Sequence, residues 1–285
     1  MARKGLGAIL KGIDSKKSGK FSVVREIDKA CAGGITDSGI FSVPRIQKMA
    51  IPMNNLLIAE EFNRDEFFLA FNKFYMAVMA PARRAKGVFH PSQLLDGCER
   101  QMYYDLTGTA PSDTPPRGVD GKLQRIFDLG TWHHLYVQSI LYELGLLERA
   151  EVPVVNKEKY LSGSADGVFK PEVFGERVVL EIKTMNDFQF KKAVFKPFDK
   201  HEFQASIYAR ELGIKKVLYL YINKNTSEMK EFLVDVNADQ LELADRKMNR
   251  VIKAVKTKTV PERACGDRFC EQASGCPFAT LCFKR

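Results

Sequence analysis

The chain has 285 residues, 45% hydrophobic and 11% aromatic, which excludes a disordered or collagen-like polymer and leaves room for one large domain with an appendage. Its net charge of +9 is compatible with a polyanionic partner without requiring one. No apolar run approaches the roughly 18 residues of a membrane-spanning helix, so a membrane partner is not expected.

The basic excess is concentrated at the start. Residues 1–30 hold eight Lys/Arg (Arg3, Lys4, Lys11, Lys16, Lys17, Lys20, Arg25, Lys29) against three acids (Asp14, Glu26, Asp28). Such a segment is either a solvated tail or an arm that adds phosphate contacts. Its apolar stretch, Leu6 to Leu10, is too short and glycine-broken for a signal peptide, although a mitochondrial transit peptide stays open. Residues 1–85 read as a helical N-terminal appendage with a Gly-rich stretch (Ala32-Gly33-Gly34) and an apolar helix from Phe67 to Met79. The expectation is an intracellular protein, where thiols stay reduced and the six cysteines are metal ligands or core residues before they are disulfides.

Residues 86–285 read as a second, ordered domain. Ser92 is placed to cap a helix through Leu94, Leu95, Met102 and Tyr103. Pro111 to Pro116 is a loop, and a long helix is expected from about Lys122 to Leu147. Strands follow at Glu151–Val155, Ser162–Lys170 and Arg177–Thr184. A helix then runs from about His201 to Leu212, with Gly213 at its C-terminal cap. Strands at Lys216–Ile222 and Lys230–Val236 precede a last helix from Ala238 to about Lys256. The order predicts a mixed α/β core with helical ends.

Within this frame the segment Val178-Val179-Leu180-Glu181-Ile182-Lys183 stands out. Alternation along a strand puts Glu181 and Lys183 on one face, and an acid and a lysine in an apolar strand are costly unless they have a task or each other. The plain alternative is an exposed edge strand carrying an ion pair. The strand before it contains Ser162-Gly163-Ser164-Ala165-Asp166-Gly167, an acid among small residues that allow close approach. A hairpin would bring Asp166 and Glu181 to the same end of adjacent strands, where two carboxylates call for a divalent cation such as Mg²⁺ or Mn²⁺. The C-terminus reads Cys265-x4-Cys270-x5-Cys276-x5-Cys282, a density typical of metal binding, and these four could close a zinc site by themselves.

These motifs resemble the RecB-like branch of the PD-(D/E)xK nucleases. Gly163–Gly167 is similar to the family's second motif and Glu181-Ile182-Lys183 to its third. Gln204-Ala205-Ser206-Ile207-Tyr208 is similar to its helical QxxxY motif. Gly130-Thr131-Trp132-His133-His134 is similar to an upstream motif that selects His134 as a metal-binding histidine. The proline of the family name is absent, with Ala165 in its place, as is common in this branch. Cys98-Glu99-Arg100 followed by Tyr103-Tyr104, with the ending Cys276–Cys282, resembles iron–sulfur members of the AddB and CRISPR-adaptation exonuclease type.

The resemblance implies a restriction-endonuclease-like α/β core, a mixed central sheet flanked by helices. It implies metal ligation by His134, Asp166, Glu181 and the Ile182 carbonyl, with Lys183, Gln204 and Tyr208 completing the catalytic set. It further implies a [4Fe–4S] cluster held by Cys98, Cys276, Cys282 and either Cys265 or Cys270, with Cys265 slightly preferred; structural zinc is the alternative. The implied activity is a DNA nuclease, an exonuclease on single strands or free ends, serving recombination, repair or DNA processing in the cytoplasm of a bacterial or phage-infected cell. With no P-loop of the GxxxxGK[ST] form, unwinding would need a helicase or recombination partner. The rivals are a structure-specific endonuclease and a non-catalytic, cluster-stabilised nucleic-acid-binding subunit.

Overall fold

The computed structural model describes residues 21–32, 65, 69, 85–113 and 121–284. Most of the basic segment, the Gly-rich stretch after Ala32 and all but one residue of the expected helix from Phe67 to Met79 lie outside the described residues. The described elements are α1 (Val23–Ala32), α2 (Pro91–Leu94), α3 (Glu99–Leu106), α4 (Gly121–Glu143), β1 (Leu147–Asn156), β2 (Leu161–Phe169), α5 (Pro171–Phe174), β3 (Val178–Met185), α6 (Asp187–Lys192), α7 (Asp199–Glu211), β4 (Lys216–Asn223), β5 (Met229–Asp235), α8 (Ala238–Thr257), α9 (Glu271–Ser274) and α10 (Ala279–Phe283). No helix among the described residues is long and apolar enough to cross a membrane.

The chain divides into two compact units, one of residues 1–83 with 128–146 and one of residues 84–127 with 147–285. In the first, α1 buries Val23 and Ile27, one turn apart on a single helix face. The Cys31 sulfur there lies 3.2 Å from the Tyr136 hydroxyl.

The second unit is built on one five-stranded sheet in the order β1-β2-β3-β4-β5. The pairs β1–β2, β2–β3 and β4–β5 are antiparallel, whereas β3 and β4 are parallel and joined by a crossover through α6 and α7. This is the α/β architecture expected of a restriction-endonuclease-like core, a mixed central sheet flanked by helices. The near-continuous apolar runs of β3 and β4 follow from their central position. Val178–Leu180 and Val217–Ile222 are almost wholly withdrawn from water. Val179, Val217, Tyr219 and Tyr221 pack with Phe203, Ile207 and Tyr208 of α7 in the main core. The face of β3 that carries Glu181 and Lys183 is therefore the one α7 covers.

Two expectations need correction, and one alternative falls. The helix expected from Ser92 through Tyr103 is two helices, α2 and α3, and His90 rather than Ser92 stands at the first N-cap. The break falls at Gly97, where a side chain would put Cβ 2.3 Å from the Gln93 carbonyl oxygen and 2.5 Å from Met102 Cε. The long helix stops at Glu143 instead of Leu147, because Gly145 (φ 72°) turns the chain and Leu147 already belongs to β1. The alternative of an exposed edge strand for Glu181 and Lys183 is excluded, since β3 is the central strand and Glu181 is 1% exposed.

Candidate active site and cysteine pocket

β2 and β3 pair through only three positions, Phe169–Val178, Val168–Val179 and Gly167–Leu180. Both strands continue, but Asp166 Oδ2 now accepts the Ile182 N–H at 2.6 Å. A carboxylate thus replaces a main-chain carbonyl, and the sheet opens at the position where Asp166 and Glu181 would have faced each other. Two residues on, the Lys183 ammonium lies 2.6 Å from Glu181 Oε1. Burial disfavours the charge on Lys183, but Glu181 and Asp166 outweigh it and raise its pKa above the ordinary lysine value. Lysine and both carboxylates therefore form one electrostatic group within the sheet.

β1 adds a residue that the sequence reading missed. Glu151 stands between the pairs Ala150–Gly167 and Val152–Ala165, opposite Asp166. Its φ of 48° is left-handed, a conformation that departs from the pleat and re-aims the side chain. Glu151 and Asp166 offer carboxylate oxygens within 4.8 Å of one another. Ser164 Oγ donates to Glu151 at 3.4 Å. Such oxygen donors suit a hard divalent cation, whose charge would offset the repulsion between them. No local signal marks Glu151; only the register of β1 against β2 brings it to Asp166.

α7 supplies the cover. Tyr208 is buried, and the Gln204 amide donates to its hydroxyl at 3.5 Å, as the i, i+4 spacing anticipates. Tyr208 sits over Gly163, where an added Cβ would lie 2.6 Å from its ring and 2.8 Å from its hydroxyl. The small residue in β2 thus makes room for the tyrosine. One turn before Gln204, His201 Nδ1 lies 2.7 Å from the Tyr221 hydroxyl, which also accepts the Phe198 N–H at 2.8 Å. Burial, then the charges of Lys183 and Lys200, push the His201 pKa down to about 4. His134 is half-buried on α4 within the first unit, and Ile182 is wholly buried in β3.

The second cluster is sulfur. Cys98, at the N-cap of α3, lines one pocket with Cys265, Cys276 and Cys282, together with Arg100, Tyr104 and Phe278. Cys270 Sγ caps α9, accepting the Ala273 N–H at 3.4 Å, and also adjoins the Cys265 thiol. Arg100 donates to the Pro261 carbonyl at 2.6 Å and points Nη1 to Cys282 Sγ at 3.6 Å. Burial, then a hydrogen bond with Cys270 and the nearby thiols Cys98 and Cys276, push Cys265 up to about 11. Thiols that oppose each other's ionisation are held together well by a metal that binds them as thiolates. The tail is tied to the segment before α4 by protein contacts as well. Asp113 accepts the Thr280 N–H at 2.6 Å, and Thr280's two hydrogen bonds lower its pKa to about 2.

No family model and no curated protein matches the chain. Among solved structures, the chain is similar to SSO0001 at 18% identity and a TM-score of 0.43, over 74% of this chain and 96% of that one. It is also similar to an alkaline exonuclease from Laribacter hongkongensis, at 12% identity and a TM-score of 0.46, over 66% of this chain and 94% of that one. The complex of that exonuclease with dAMP gives 13% identity, the same coverage and a TM-score of 0.46. Neither likeness bears on the assignment of individual residues.

Proposed function

We propose that this chain is a divalent-metal-dependent nuclease that hydrolyses DNA phosphodiesters from single-stranded or free ends, with a [4Fe–4S] cluster as a structural staple. The observation that carries the reading is the opening of the sheet at Asp166. An acid that takes over a main-chain hydrogen bond beside a buried Glu181–Lys183 pair is costly for stability alone, and hydrolytic chemistry accounts for all three residues.

The proposed ligands are Asp166, Glu181, the Ile182 carbonyl and His134, the last on its sequence motif. Glu151 joins them on its proximity to Asp166. A bound metal would supply Lewis-acid stabilisation of the phosphate and a more acidic water. The protein's own groups do the rest. Lys183, anchored by Glu181, places a positive charge where negative charge grows on the phosphate oxygens. Tyr208 and Gln204 hold the helix against β2 and face the substrate's backbone. Because Glu181 is almost fully buried, its carboxylate is fixed before substrate arrives, which favours a preorganised site.

For the cluster, the pocket supports Cys98, Cys265, Cys276 and Cys282 as the ligand set; Cys270, which caps α9 beside the Cys265 thiol, is the alternative to Cys265. Its ligands would come from α3 and from the tail, closing a loop of nearly the whole second unit. That could add several kcal/mol, by roughly the loop-closure argument. A brown, iron-containing preparation supports this assignment; a colourless one with zinc would replace it.

The deciding experiment uses anaerobically purified protein with end-labelled linear and covalently closed circular single-stranded DNA, each in Mn²⁺, Mg²⁺ or EDTA, beside Glu181→Ala. Shortened linear strands with intact circles are expected. Cut circles would make the protein an endonuclease. Bound but unaltered DNA on both substrates would leave a binding subunit.

A further inference from the structure

We propose that the bend Val194-Phe195-Lys196 is a stacking platform for an unpaired base of DNA entering the site. The inference rests on the nuclease reading above and names the form of its substrate. The bend lies in the crossover between β3, which carries Lys183, and α7, whose His201 feels the charge of Lys183; α6 precedes it.

Both sides of the bend are held. Asn186 caps α6 by accepting the Gln189 N–H at 2.9 Å, and the Asn223 amide donates to Asp187 at 3.0 Å. The Lys230 ammonium binds the Phe190 and Ala193 carbonyls at 2.9 and 3.1 Å, and the Phe198 N–H is bound to the Tyr221 hydroxyl. Ala193 and Pro197 are buried on either side of the bend. Between these anchors Val194 is 57% exposed and Phe195 is 94% exposed. A phenyl ring held in water gains little from the fold, and its open faces are available to a ring from outside.

The surrounding charge indicates which partner. Lys191, Lys192, Lys196 and Lys200 outnumber the segment's two acids: Asp187 pairs with Lys191 at 2.7 Å, Asp199 with Lys196 at 2.8 Å, and Lys200 reaches Asp96 at 3.2 Å, so the net excess is carried by Lys192. Phe188, 65% exposed, already lies under the Lys192 ammonium at 4.0 Å. Aromatic rings interleaved with lysines match a single strand, whose bases present open faces and whose phosphates carry the opposite charge. A paired duplex hides those faces within its stack.

The test is binding in EDTA by the full chain, using a labelled single-stranded oligonucleotide and an abasic strand of equal length. Phe195→Ala should weaken binding to the base-containing strand by about tenfold, while Phe195→Tyr should bind as wild type. On the abasic strand wild type and Phe195→Ala should be equal. Unchanged binding by Phe195→Ala, or an equal loss on both strands, overturns the platform and points to a protein partner or to a purely electrostatic contact. Mn²⁺ cleavage run in parallel separates the two readings. Wild type that cleaves while Phe195→Ala binds normally sinks the platform alone. Wild type that binds yet never cleaves sinks the nuclease reading.

Discussion

The Asp166 side chain and the Ile182 main-chain N–H are joined at 2.6 Å, one position past Gly167 on β2 and two past its partner Leu180 on β3. Asp166 thereby completes the sheet and, in our proposal, binds metal. Substitution can separate these duties. Asp166→Asn keeps an oxygen acceptor and should stay within about 1 kcal/mol of wild-type stability, whereas Asp166→Ala should lose about 1–3 kcal/mol. Both should lose cleavage. Urea midpoints and a cleavage assay on the same preparations check this, and an active Asp166→Asn protein would remove the residue from the metal site.

Gly163 and Tyr208 form a second pair, in which the missing side chain of one makes space for the ring of the other. Gly163→Ala should push Tyr208 off its seat, costing about 1–3 kcal/mol and much of the activity. Removing the ring with Tyr208→Ala should make the glycine substitution nearly harmless, so the two changes combine to less than their sum. Strictly additive stability losses would mean that the contact is not what restricts position 163.

The cysteines predict a contrast between neighbours. Cys265→Ser should lose iron and solubility together, as should Cys276→Ser. Cys270→Ser should retain full iron and lose no stability, because serine is itself a favoured N-cap for α9. Iron analysis of the purified variants decides it; an iron-free Cys270→Ser protein would exchange the roles of Cys265 and Cys270.

His201 predicts a pH dependence. Its folded pKa of about 4 lies below the unfolded value, so between the two the unfolded chain binds a proton that the native chain refuses. The stability this site retains above pH ~6.5 is therefore lost as pH falls towards ~4, by on the order of 3 kcal/mol in all. His201→Asn should flatten the wild-type decline in that window, whatever it does to stability at pH 7. Denaturant unfolding at a series of pH values gives the two slopes, and equal slopes would show that the histidine does not titrate this way.

Much of this protein is legible in one dimension. From His90 onward the periodicity of apolar residues placed every strand of the sheet within a few positions, because a strand between helices must be apolar and a helix must repeat its apolar side each turn. The alternation along β3 put Glu181 with Lys183, and the four-residue spacing put Gln204 with Tyr208, before any partner was known. Tertiary structure decided what depends on a neighbour remote in the chain. It brought Glu151 beside Asp166 through the β1–β2 register and a left-handed backbone. It set Cys265 in the pocket while Cys270 turned to cap a helix, broke a helix at Gly97 where Gln93 and Met102 leave no room, and left Phe195 in solvent on a bend held on both sides. Periodicity reports which side of its own element a residue occupies. What stands opposite is fixed by packing and strand register, which no single segment encodes.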